Sequence, residues 1–308
     1  MTTQFLRRAS LPVSVGSDAI DLSQLRFRFE TRQSDNQTPN TLYCRVYNLA
    51  DATSQKINDE GAFVTVQAGY QGTGDYGVIF AGQVKQFKRG REDEVNTYLD
   101  ILAADGDAAY NNALLHKTLE QGVTAGQQVD QVTAAMAAFN VTKGYTPPLP
   151  TTGLPRGKVL YGMARDVMRE VATSTLTTWS IVNGQLTMIP VASYLPGQAV
   201  VLTSQTGMIG RPEQTVEGIR VKCLLNPNLK MGGQVKIDNA SIQRFLQSAA
   251  FQAQARNAIV PPVAADGLYR IYVVEHEGDT RGQPWYSDLI CIGLQDFSIP
   301  LAERGIGI

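Results

Sequence analysis

Gly72-Thr73-Gly74-Asp75-Tyr76-Gly77 spells GxGxxG, the spacing by which a dinucleotide fold brings its backbone close to a pyrophosphate. That chemistry needs a helix N-terminus directly after the glycines, where free N–H groups meet the phosphate. Val78-Ile79-Phe80 follows instead, a β run, so the glycines read as a hairpin tip. Asp105-Gly106-Asp107 opens like a calcium loop, but neither a DxDxDG continuation nor a bidentate Glu follows at the required offset. It reads as a turn after a strand, with cation binding as the lesser alternative. Glu275-His276-Glu277-Gly278-Asp279 sets one histidine among three acids, and the only other histidine is His116. Alternation puts Val274 and His276 on one face and Gly278 at a turn, so this cluster reads as a hairpin end.

Lys85, Lys88, Arg89 and Arg91 stand beside Glu92, Asp93 and Glu94. Mixed sign at a loop tip describes a solvated face or a protein contact, and nucleic-acid binding is not expected there. Cys44, Cys223 and Cys291 are odd in number, far apart and set in apolar runs, the pattern of buried thiols without a disulfide or metal. GxSxG, HExxH and P-loop motifs are absent, and no carboxylate sits in an apolar run that would raise its pKa for acid–base work. The sequons at Asn36, Asn140 and Asn239 carry meaning only in a secreted protein. The expectation is a non-enzymatic protein with no catalytic, cofactor-binding or metal-ligating residues.

What holds these residues is a chain of 308 residues, long for one core, with 43% hydrophobic and 18% charged residues. A net charge of −1 lacks the basic excess of a phosphate-gripping protein. Met1–Arg8 has an Arg pair but no apolar stretch after it, so no signal peptide is expected, and no apolar run is long enough to span a bilayer.

The periodicities predict a mainly β, α+β chain. Leu25, Phe27 and Phe29 alternate with Arg26, Arg28 and Glu30, and further strands are expected at 42–49, 63–70, 78–87 and 97–104, with a short helix over 51–59. The middle third changes to helices at 124–139 and 159–173, separated by the proline-rich stretch 146–155, then a hairpin turning at Asn183-Gly184. Strands return at 218–225, 234–238, 269–276 and 286–294, with an inserted helix over 241–257. The expected division is 1–108, 109–212, 213–300 and a tail, 301–308. Gly82-Gln83-Val84-Lys85 recurs as Gly233-Gln234-Val235-Lys236, each read as opening the second strand of a hairpin, a hint of two related barrels.

A series of short motifs then carries a resemblance. Pro39 to Leu49, Gly61-Ala62-Phe63-Val64, Ala68-Gly69-Tyr70, Ile79 to Val84 and Ala103 to Asp107 come first. Gly157 to Asp166, Thr206 to Pro212, Leu224-Leu225-Asn226-Pro227 and Glu275 to Asp279 follow in order. Together they resemble the baseplate hub proteins of contractile-tailed (myovirus-type) phages, related to the hub part of type VI secretion (VgrG-like) spikes. The resemblance implies two tube-like antiparallel β-barrels flanking a smaller α+β domain, and three subunits forming a ring of six barrels. Such a ring adapts a six-fold tail tube to a three-fold central spike and forms part of the DNA ejection channel. Implied partners are two further copies of the chain, tube or tube-initiator proteins, the spike, baseplate wedge proteins and the tape measure protein. The implied location is the virion, after assembly in the host cytoplasm.

Fused members carry a spike or lysozyme-like domain after the hub; with this sequence ending at Ile308, any cell-wall hydrolase is expected on another chain. Two other functions compete. A cell-wall hydrolase needs a carboxylate pair in a cleft. A carbohydrate- or receptor-binding module could stack sugars on Trp179, Trp285 or the 12 tyrosines. The polar tail Glu303–Ile308 is expected to be disordered alone and to order on a partner.

Overall fold

Phe27, Phe29 and Thr31 are buried while Arg28, Glu30 and Arg32 are exposed, so the alternation read from the sequence becomes a strand with one core face and one wet face. The computed structural model describes residues 6–16, 18–35, 37–57, 61–71, 76–243 and 263–294. The first part holds β1 (Arg7–Ser10), β2 (Pro12–Val15), β3 (Asp18–Asp21), β4 (Phe27–Ser34), β5 (Thr41–Tyr47), α1 (Asp51–Ile57), β6 (Phe63–Tyr70), β7 (Tyr76–Arg91) and β8 (Thr97–Ala104). The middle holds α2 (Asp107–Asn112), β9 (Leu114–Leu119), α3 (Ala125–Met136), β10 (Thr142–Lys143), β11 (Lys158–Met163), α4 (Ala164–Ser174), β12 (Thr177–Val182) and β13 (Gln185–Pro190). The last part holds β14 (Val200–Leu202), β15 (Met208–Thr215), β16 (Gly218–Leu224), β17 (Gln234–Ile237), β18 (Leu268–Asp279) and β19 (Trp285–Gly293). The chain is mainly β, as expected. Among the described residues no helix is long and apolar enough to cross a membrane.

The strand order is doubled. The first part runs β4-β5-β8-β7-β6 and the last runs β15-β16-β19-β18-β17, every neighbour antiparallel. Each copy curls around its own core. One gathers Phe27, Leu42, Val64, Phe80 and Ile101; the other gathers Ile219, Val221, Val235, Tyr269 and Leu289. A third core, with Val132, Met136, Met168 and Trp179, belongs to the middle helices and strands.

The doubling reaches single residues. Arg45 of β5 faces Asp100 of β8 at 2.7 Å and lies 4.0 Å over the Tyr98 ring. Lys222 of β16 faces Asp288 of β19 at 3.3 Å and lies 4.8 Å over the Tyr286 ring. A cation, an aspartate and a tyrosine ring occupy the same rungs of both copies.

The two copies form one sheet. Residues 268–270 of β18 pair with β17; after a bulge at Tyr272, the same edge pairs with β4 from Val273↔Ser34 to Asp279↔Arg28. Bulges of this kind redirect a strand edge.

Several expectations are corrected. The Gly-Gln-Val-Lys match does not mark equivalent strands: Gly82 lies well inside β7, the fourth strand of its copy, whereas Gly233 leads into β17, the third strand of the other. Nor does β16 pair with β17; it pairs with β15 and β19. The helix expected from Val159 begins at Ala164, because residues 158–163 form β11 against β9. Val159 and Met163 share a face under a period of two as well as under a helical period, which misled the reading.

The boundary at 108 cuts α2, whose Ala109 and Tyr110 belong to the middle core, and the boundary at 212 cuts β15. Gly278 makes no turn; it lies within β18 opposite Trp285. Of the inserted helix expected over 241–257, residues 244–257 lie outside the described residues, and a 3-10 turn, Asn239–Ser241, ends where it was expected to start. The loop 72–75 and the tail 303–308 also lie outside them.

The turn chemistry fares better. Asn183 and Gly184 have φ of 52° and 75°, the positive pair a tight two-residue hairpin turn requires. Thr124 caps α3, exchanging hydrogen bonds with Gln127.

Candidate functional site

Directly paired residues of neighbouring strands lie on one face of a sheet, and here the wet face continues across both copies. One row reads Lys222, Asp288, Glu275, Arg32. The next reads Tyr286, Glu277, Glu30, Tyr43. A third reads Asp279, Arg28, Arg45, Asp100, Lys88. Cations of these rows pair with acids from neighbouring strands: Arg32–Glu275 at 3.1 Å, Arg45–Asp100 at 2.7 Å and Lys222–Asp288 at 3.3 Å, with Arg26, just before β4, on Asp279 at 2.7 Å. Arginines engaged this way have little capacity left for phosphate.

Glu30 and Glu277 are direct cross-strand neighbours and line a depression of about 220 Å³ with Arg28, Tyr43 and Arg45. No sequence spacing brings them together; only the seam does. Glu30 is exposed and Glu277 half-buried.

At the seam's foot, Arg270 and Asp35 form a buried ion pair joining all three parts of the chain. Arg270 also donates to Thr178 Oγ1 at 3.0 Å and to the carbonyls of Pro190, Val191 and Ser193 at 2.9–3.3 Å. Burial lifts the Asp35 carboxyl above its ordinary range, while Arg270 and Thr178 pull against that rise.

The residues first singled out for chemistry are dispersed. His276 is buried on the core face, its Nδ1 2.8 Å from Ser287 Oγ, and a bond to the Leu229 carbonyl completes its environment. Burial takes its pKa down to about 4. Ser287 is fully buried too and accepts from the Asn226 N–H at 3.1 Å, so this Ser–His pair is sealed from any substrate.

Asp105 is buried and accepts from the Gly184 N–H at 3.0 Å, while Asp107 faces Lys85, so the two acids do not converge on an ion. Burial lifts Asp105 to about 7. Asp105 does not lie in an apolar run, so its raised carboxyl is not legible locally; the hairpin that meets it through the Gly184 N–H is distant in sequence. Arg89 reaches Asp51, and the basic patch is thereby half neutralised.

Trp179 is buried, stacked on Tyr110 at 5.3 Å, and Trp285 is buried edge-on to Phe29 at 5.6 Å; neither offers a face to a sugar. All three cysteines are buried and free, with thiols pushed upward by burial.

No protein-family model matches the chain, and no curated protein matches its sequence. Solved structures match its fold. A 43 kDa tail protein of prophage MuSo2 from Shewanella oneidensis aligns with a TM-score of 0.57 over 93% of this chain and 97% of that one, at 8% identity. A tail protein from Neisseria meningitidis MC58 aligns with a TM-score of 0.57 over 92% and 96%, also at 8% identity. This is the fold of phage tail proteins. An E. coli component of the type VI secretion system, described as similar to T4 bacteriophage tail proteins, shares it with a TM-score of 0.52 over 91% of this chain and 76% of that one, at 10% identity.

Proposed function

We infer that the chain is the structural baseplate hub of a phage tail, a homotrimeric ring between a six-fold tube and a three-fold spike. The observation that carries this is the doubled strand order: three chains with two like sheet units each present six such units to a tube. We also assign the charge-paired face of the continuous sheet to the DNA channel. Its cations are already held by acids on neighbouring strands, which favours passage over binding. In this reading the spike, tube or tube-initiator, wedge and tape measure proteins are the partners, the virion is the location, and the three cores mark three structural units. The second unit boundary then lies before β14 rather than at 212, since β14 and β15 both pair with strands of the last copy.

Electron microscopy of the purified assembly tests the reading. The expected image is a three-fold ring with six β densities around a pore. Cell-wall lysis by the purified chain in a zymogram would replace it with the hydrolase reading.

A further inference from the structure

The geometry points to a specific docking strand for a second copy of this chain. The outer edge of Gln86–Arg91 in β7 receives β15 of the neighbouring copy, antiparallel, as β18 receives β4 within one chain. This rests on the ring reading above and gives it a register.

The two long strands are built alike. In β18, residues 268–270 pair with β17, a bulge follows at Tyr272, and 273–279 pair with β4. In β7, Tyr76–Gln83 pair with β6, a bulge follows at Lys85, and Gln86–Arg91 pair with β8 on one side. Among the described residues no strand lies on their other side. An open edge of this kind is a template for pairing with another chain, and natural proteins cover or blunt it. Burial agrees. Val273, Val274, His276 and Gly278 are buried, whereas of their counterparts Gln86, Arg89 and Arg91 are exposed and Phe87 is half-buried.

The complementary edge is β15, which stands in its copy where β4 stands in the other. Among the described residues β16 is the one strand it pairs with, and Ile209, Gly210, Arg211 and Glu213 are exposed. One rung of its outer edge is held by Gln243, whose N–H donates to the Pro212 carbonyl at 2.7 Å and whose carbonyl accepts from Gln214 at 3.0 Å. The incoming strand displaces Gln243 from that rung.

The shared rungs fix the register. Lys88 lies opposite Asp100 as Glu275 lies opposite Asp288. Counting from the equivalent ion pairs, Thr215 occupies the place of Arg32, which faces Glu275 within the chain. Lys88 of one copy therefore faces Thr215 of the next, and Gly90 faces Glu213, which places that acid diagonally across from Lys88 on the same face. The contact is head-to-tail, and three copies leave no such edge open.

A Lys88→Cys/Thr215→Cys variant tests this, because the native thiols are buried and both replaced side chains lie on the wet face. The native mass of the wild type and the variant is measured by light scattering, and the oxidised variant is run on a non-reducing gel. The expected result is a trimer that becomes covalently linked in the double variant, with neither single variant linking. A trimer without covalent bands overturns the pairing and leaves the ring standing. A monomer at every concentration, wild type included, overturns both.

Discussion

Arg270 of β18 donates Nη2 to the carboxylate of Asp35, the residue that follows β4, and both side chains are buried. Arg270 also holds the hairpin of the middle part, so this one pair meets all three cores. Removing one member of a buried pair strands the other charge without water, a loss of about 3–5 kcal/mol.

Arg270→Ala is therefore expected to lower the urea midpoint by a large margin. Arg270→Met combined with Asp35→Asn should recover part of the loss, since no charge is then left stranded. An unchanged midpoint in the single variant would show that the junction is held elsewhere.

Asp105 gives the fold a pH dependence. Its folded pKa of about 7 lies above the ordinary 3.8, so the folded chain holds a proton that the unfolded chain releases. The stabilisation is complete below the lower value and is lost as pH rises through the upper one, an effect of up to roughly 4 kcal/mol. Asp105→Asn keeps a side-chain oxygen for Gly184 and cannot ionise. Thermal melts at pH 5 and pH 8 should show the wild type losing stability relative to this variant at the higher pH.

His276 acts in the opposite sense. Its pKa falls from 6.5 to about 4, so the unfolded chain binds a proton that the folded core refuses. Its contribution is complete above 6.5 and disappears as pH drops through 4, up to roughly 3 kcal/mol. His276→Gln should be less stable at neutral pH yet lose less on acidification, as read from denaturant midpoints at pH 7 and pH 4.5.

Two glycines should respond oppositely to a methyl group. A Cβ at Gly278 would lie 2.3 Å from Phe29 Cζ, so Gly278→Ala is expected to cost about 1–3 kcal/mol by overpacking. At Gly126, in the first turn of α3, the nearest atom is Thr124 Oγ1 at 3.9 Å, and Gly126→Ala should gain about 0.4–1 kcal/mol. Melting temperatures of the two variants decide both.

Cys44, Cys223 and Cys291 lie on core faces with exposures of 0%, 1% and 0%. A thiol reagent such as DTNB should titrate none of them in the native protein and all three in guanidinium. A fast-reacting native thiol would contradict the packing of that strand.

The sequence announced its strands well because alternation is local: Phe27 and Phe29 against Arg28 and Glu30, or Thr97–Ala104 as a whole, need no tertiary information. The doubling was inferred from the wrong four residues. The true signal was Tyr98-Leu99-Asp100-Ile101-Leu102 against Tyr286-Ser287-Asp288-Leu289-Ile290, the same aromatic, acid and apolar pair at one spacing. It was hidden because the partner cations, Arg45 and Lys222, are far away in sequence. The wet face and the Glu30–Glu277 contact were illegible for the same reason: they exist only because Val273–Asp279 lies against Arg28–Ser34. Asp105 and Asp35 look like loop residues until distant hairpins bury them.

Through the handover of β18 from one partner strand to the next, the two halves of the chain meet along hydrogen-bonded backbone and not across a linker. Their mutual angle is set by the natural twist between neighbouring strands, ~20–25° per step. Curvature is thus cast into the single chain. A push along the strands meets a row of backbone hydrogen bonds in shear, which must fail together, and not a tether that can simply unwind.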